Sequence, residues 1–122
     1  MMNKLEKLLE QIKNTPEKTE FNDVISIIDE HYHYIPTRFT NGSDNDIVIN
    51  TAGENQGSCK IFSFAMINNL DKEQTLNCFG QYYRDDVLNN PDQSDHANIR
   101  TFIRNGWEHV TFEGDALKEI KE

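Results

Sequence analysis

The stretch that most constrains this chain lies between residues 50 and 87. At its centre is an apolar run, Ile61, Phe62, Phe64, Ala65, Met66 and Ile67, broken only by Ser63. At 3.6 residues per turn these positions cover the whole circumference of a helix, so no face is left for water and the element is predicted to be buried on all sides. We read it as the central helix. A polar loop with two glycines, residues 50–60, feeds it, and Asn69-Leu70-Asp71 ends it. Asp71 followed three residues later by Gln74 has the spacing of a capping box, in which side chain and backbone satisfy each other at a helix start. The second helix so begun carries Leu76, Phe79, Tyr83 and Val87 at spacings of three and four, and it contains the polar cluster Tyr82-Tyr83-Arg84-Asp85-Asp86. A polar loop entering a buried helix beside such a cluster is where a site is expected.

The remaining segments read as further helices around this pair. Leu5, Leu8, Leu9 and Ile12 recur at helical spacing behind an Asn3 cap, predicting a helix over residues 4–13. Thr15-Pro16-Glu17 is a strong start signal for a second helix, whose stripe Phe21, Val24, Ile25, Ile28 and Tyr32 ends near His31. Ile35 precedes a proline and must be extended. Asn41-Gly42 is a turn signal and Ile47-Val48-Ile49 a β-branched run, so residues 37–51 suit a two-stranded ribbon, with residues 107–112 as a further strand. Ser94 or Asp95 caps a helix carrying Ile99, Phe102 and Ile103, closed at Asn105-Gly106. Residues 115–121 read as a last short helix.

A length of 122 residues fits one domain, residues 1–122, and is enough for a self-sufficient core. The formal net charge of −9 repels nucleic-acid phosphates and anionic membrane surfaces, and the basic residues are not gathered on one face. Nucleic-acid and membrane partners are therefore excluded, which leaves a protein or a small polar ligand. No run is apolar enough for a transmembrane span or a signal peptide, and two cysteines are too few for a disulfide framework. A cytoplasmic protein is the expectation.

Two features are candidates for chemistry. Cys59 and Lys60 arrive at the start of the central helix, where unpaired N–H groups and a neighbouring lysine favour a thiolate. Cys59 as nucleophile with His96 as base would make a thiol-dependent hydrolase or transferase. The bland alternative, favoured here, is that Cys59 fills space in apolar surroundings that raise its pKa. The second candidate is a polar pocket lined by Asn55, Tyr82, Arg84, Asp85, His96 and Arg100, with the two arginines in ion pairs with the neighbouring acids. Asp85 and Asp86 diverge by about 100° on a helix and cannot act together on one substrate. No cofactor or metal is implied. His31 and His33 flank a helix end without further ligands, Asp44-Asn45-Asp46 lacks the glycine and glutamate of a calcium loop, and the loop before Lys60 lacks phosphate-loop spacing.

Residues 50–62, 75–88 and 95–100 together with Gly106-Trp107 strongly resemble the HopJ family of type III effectors, from about Leu5 to Leu117. The resemblance implies a bacterial protein and, by the family label, delivery into a host cell. It carries over no reaction, substrate or catalytic residue. Type III secretion signals are usually disordered and serine-rich, whereas residues 3–13 contain no serine and read as a packed helix, so a member working inside its own bacterium is the expectation. The predicted fold is a mainly α, compact single domain of five or six helices with at most a small β ribbon.

Overall fold

The computed structural model describes residues 2–120. Helix α1 (Lys4–Asn14) opens with a complete capping box: the Glu6 N–H donates to Asn3 Oδ1 at 2.8 Å, and the Asn3 N–H to the Glu6 carboxylate at 3.2 Å. It buries Leu8 and Ile12. The Thr15-Pro16-Glu17 signal starts only a single 3-10 turn, Pro16–Lys18, and α2 (Phe21–His31) begins after a short extended link. The cause is long-range. The Arg84 guanidinium donates to the carbonyls of Pro16 and Thr19, oxygens that a continuous helix would have used itself. Helix α2 buries Val24 and Ile28, but Tyr32, expected on its stripe, instead opens strand β1 (Tyr32–Tyr34).

The expected ribbon is present as a three-stranded antiparallel sheet. Strand β2 (Phe39–Asn41) lies between β3 (Val48–Asn50) and β4 (Val110–Phe112), with Phe39 opposite both Asn50 and Phe112. A second sheet pairs β1 with β5 (Leu117–Glu119), Tyr34 facing Leu117. This corrects the expected C-terminal helix over residues 115–121, of which Lys121 lies outside the described residues. A helix that short is marginal in water, and as a strand the segment buries Leu117 and satisfies the backbone of β1. The β component is thus larger than the ribbon expected.

The central element is α3 (Gln56–Ile67), which begins one turn before the apolar run. Ile61, Phe62, Phe64 and Ala65 are fully buried, but Met66 and Ile67 are about half exposed (47% and 49%), so the end of this helix does have a solvent side. The predicted capping box opens α4 (Lys72–Asn77), with Gln74 N–H to Asp71 Oδ1 at 2.8 Å and Asp71 N–H to Gln74 Oε1 at 2.9 Å. The expected single helix through Val87 does not form. Gly80 takes φ +58°, and a Cβ there would stand 2.5 Å from the backbone nitrogen of Phe21. The chain breaks at Gly80 so that α2 can approach, then resumes as a π-helix, Tyr82–Val87. Helix α5 (Ala97–Asn105) is capped by neither Ser94 nor Asp95 but by His96 in the left-handed region, φ +52°. Gly106, also at positive φ, ends it.

Phe62 is the hub of the core. Its ring meets Phe102 at 5.0 Å, Phe79 at 5.6 Å, Phe39 at 5.9 Å and Trp107 at 6.0 Å between centroids, joining α3, the sheet and α5. Phe39 stacks in turn on Phe112 at 4.8 Å. Among the described residues the fold is mainly α, with five α-helices, one π-helix and two small sheets.

Candidate functional site

The starts of α2, α3, the π-helix and α5 meet at one cleft of about 460 Å³. Its polar lining is Asn55, Ser58, Tyr82, His96 and Asn98, and its apolar lining includes Phe21, Phe79 and Ile99. Two glycines distant in sequence from Phe21 explain the convergence. Phe21 reaches the cleft because two glycines leave room for it: Gly80 admits its backbone, and a Cβ on Gly57 would stand 2.9 Å from its ring. Phe21 meets Tyr82 edge to face at 4.9 Å, and Tyr82 lies against the His96 ring at 5.2 Å.

Asn55 and His96 hold equivalent places, each capping a helix in the left-handed region without a side-chain cap bond. The first backbone N–H groups of α3 and α5 therefore have no side-chain acceptor from their own cap residue. His96 Nε2 lies 3.0 Å from Asp86 Oδ2 and 3.8 Å from Asp95 Oδ2, which ties α5 to the π-helix.

Behind the lining is a buried network of asparagines. Asn98 Nδ2 donates to Asn50 Oδ1 at 2.8 Å, while Asn98 Oδ1 accepts from Asn41 at 3.1 Å and from Asn50 at 3.2 Å. Asn55 Nδ2 donates to the same Asn50 oxygen at 2.6 Å. Three buried amides and a donor from the exposed Asn55 thus lock the ribbon to the starts of α3 and α5.

Of the six residues expected to line a pocket, the structure brings Asn55, Tyr82 and His96 together in this cleft. Arg84 is engaged with backbone carbonyls under α2 and does not line it. Arg100, with its side chain only 7% exposed, donates to the carbonyls of Asn90 and Asp95 and to the Asp95 carboxylate at 2.7 Å, bracing the loop before α5. Asp85 is exposed and stands outside the lining. The expected pairing of both arginines with Asp85 and Asp86 is replaced by these contacts, because carbonyls of the adjoining loops lie closer. Among the described residues no group of three or more His, Cys, Asp or Glu is arranged to hold a metal ion.

Residues 5–117 match the family model described as HopJ type III effector protein. The chain belongs to the HopJ family. A solved structure, the crystal structure of the unknown-function protein VPA0580, is 46% identical to this chain, with 98% of this chain and 97% of that one covered, and superposes with a TM-score of 0.91. No curated protein matches the chain. No described helix of this HopJ protein is long and apolar enough to cross a membrane.

The thiols of this HopJ chain stand apart from the cleft. Cys59 is 1% exposed, and its Sγ–H points to the Thr37 carbonyl at 3.7 Å. Burial pushes its pKa up, and the Thr37 contact, Tyr34 and Lys60 offset only part of that. Burial pushes Cys78 up to about 12. Neither sulfur lines the cleft that His96 lines, so the arrangement lends nothing to a Cys59–His96 pair. With both pKa values raised, the thiolate fraction at pH 7 is below that of free cysteine. A thiol reagent under native conditions is expected to label either site about tenfold or more slowly than free cysteine, reaching the free rate only in denaturant. Fast native labelling of Cys59 would reinstate it as a nucleophile.

Ser58, Asn98, Phe21 and Asp86 were not among the residues expected at the pocket. A signal existed for two of them. Asp86 is four residues after Tyr82, one turn along the same face, and Asn98 lies in the first turn after His96. Phe21 was legible only as core, since its second role depends on Gly57 and Gly80, distant in sequence.

Proposed function

We propose that this HopJ protein is a small binding domain whose cleft receives a small polar ligand. The observation that carries the reading is the convergence of Asn55, Ser58, Tyr82, His96 and Asn98 from three segments on one concave site of about 460 Å³. That volume is within the usual range for small-molecule sites, and the mixture of aromatic walls with a few polar groups is their usual chemistry. The site stands on helix starts held by a buried amide network, so its geometry is fixed before a ligand arrives. The buried free thiols suit a reducing compartment, which the bacterial cytosol and the interior of a host cell both provide.

The test is a titration of the isotope-labelled protein with sugars, amino acids, carboxylates and nucleosides, following backbone amide shifts. At least one class is expected to move Asn55, Ser58, Tyr82 and His96 together and saturably. If none does, or if the shifts gather elsewhere, the cleft is a packing feature.

A further inference from the structure

We infer that the ligand of this cleft is a neutral, planar heteroaromatic ring of the nucleobase kind, an inference that rests on the binding reading above. Three rings from three elements stand in the wall: Phe21 from α2, Tyr82 from the π-helix and His96 from the start of α5. All three are half-buried, so each keeps surface that a ligand can cover. A flat ring replaces water on these surfaces by stacking, whereas a sugar would bring hydroxyls to them and leave both sides poorly paired.

The polar groups at the same place suit the edge of such a ring. Asn55 spends its amide N–H on Asn50, which leaves its carbonyl oxygen as an acceptor uncommitted among the described residues. The Ser58 hydroxyl, half-buried in the lining, has no partner among them and can donate or accept. An acceptor beside a two-way hydroxyl is the complement of a base edge that alternates ring nitrogens, carbonyls and amino groups.

Charge then separates a nucleoside from a nucleotide. The lining contains no lysine or arginine, and the carboxylates of Asp86 and Asp95 sit 3.0 and 3.8 Å from His96 Nε2. A phosphate monoester adds about −1.5 to −2 charges at pH 7, while each helix start offers only about +0.5. Within a chain of net charge −9, the cleft therefore disfavours the phosphorylated form.

The experiment titrates the full-length labelled chain with adenosine, guanosine, cytidine, uridine, adenosine 5′-monophosphate, glucose and glutamate. At least one nucleoside is expected to shift Asn55, Ser58, Tyr82 and His96 saturably, and the monophosphate to bind fivefold or more weakly than adenosine if adenosine binds. Tyr82→Phe, which keeps the ring, is expected to bind within about twofold of the parent. Tyr82→Leu, which keeps apolar bulk against Phe21, is expected to bind about tenfold or more weakly. Glucose or glutamate moving the cleft amides while every nucleoside is silent overturns the ring inference and leaves the binding reading standing. Silence from all seven probes overturns the ring inference as well, and the broader panel above then decides the binding reading alone. A monophosphate that outbinds its nucleoside, or a Tyr82→Leu protein that binds as the parent does, also overturns it.

Discussion

Replacing Phe62 by alanine is expected to destabilise the protein by about 3–5 kcal/mol, the largest effect of any single core truncation here. Phe62 is fully buried, and four other aromatic rings lie within 6.0 Å of it, so the hole left behind is walled by side chains held from several directions. Rigid walls relax little, and the cost of the cavity adds to the lost burial. At a typical denaturant slope of about 2 kcal/mol per molar, the urea midpoint falls by about 2 M. Since domains of this size hold about 5–15 kcal/mol in total, the variant sits near the limit of folding. Phe62→Leu, which refills most of the volume, is expected to cost about 1–2 kcal/mol. A loss below about 1.5 kcal/mol for the alanine variant would mean that the surrounding rings collapse freely and that Phe62 is not the hub.

Asn98→Ala is the second large effect, expected to cost about 2–4 kcal/mol although it removes few atoms. The buried amides of Asn41 and Asn50 each lose a partner, and no water-accessible position replaces it because both are fully buried. Asn41 and Asn50 both belong to the ribbon and lie far in sequence from Asn98, so the substitution loosens the ribbon from α5 and with it the cleft. The discriminating measurement is a double-mutant cycle with Asn50→Ala. Coupling above about 1 kcal/mol is expected for residues sharing two hydrogen bonds, and simple additivity would show that the network does not act as a unit.

Much of the helical framework was legible because its signals are local. The Asn3 cap, the Asp71–Gln74 box and the Asn105-Gly106 stop depend on residues within one turn of each other, and all three stand where the spacing put them. The ribbon was legible for the same reason, in the turn at Asn41-Gly42 and the β-branched run after it. What could not be read was set by contacts between distant segments. The delayed start of α2 depends on Arg84, the break at Gly80 on the backbone of Phe21, and the strand at Leu117 on the open side of β1. Within the cleft, Asn55, Tyr82 and His96 were picked out as polar or aromatic residues beside buried helices. Arg84 and Arg100 carry the same signal but are drawn to loop carbonyls, which a sequence does not locate.

The pairing of the strands governs the order in which this chain can be completed during synthesis. Each sheet joins an early strand to a late one, Tyr34 with Leu117 and Phe39 with Phe112. A nascent chain that has emerged from the ribosome only through α5 already holds the five described α-helices and the π-helix, yet β1 has no partner, β2 has one open edge, and the Phe39 ring lacks its stacking neighbour. Such contacts, far apart in sequence, are the slow ones to form, and open strand edges are the usual starting points of association between chains. A ribosome paused once α5 has emerged would therefore display a helical body with two unfinished edges, and β4 and β5 are the segments that close them.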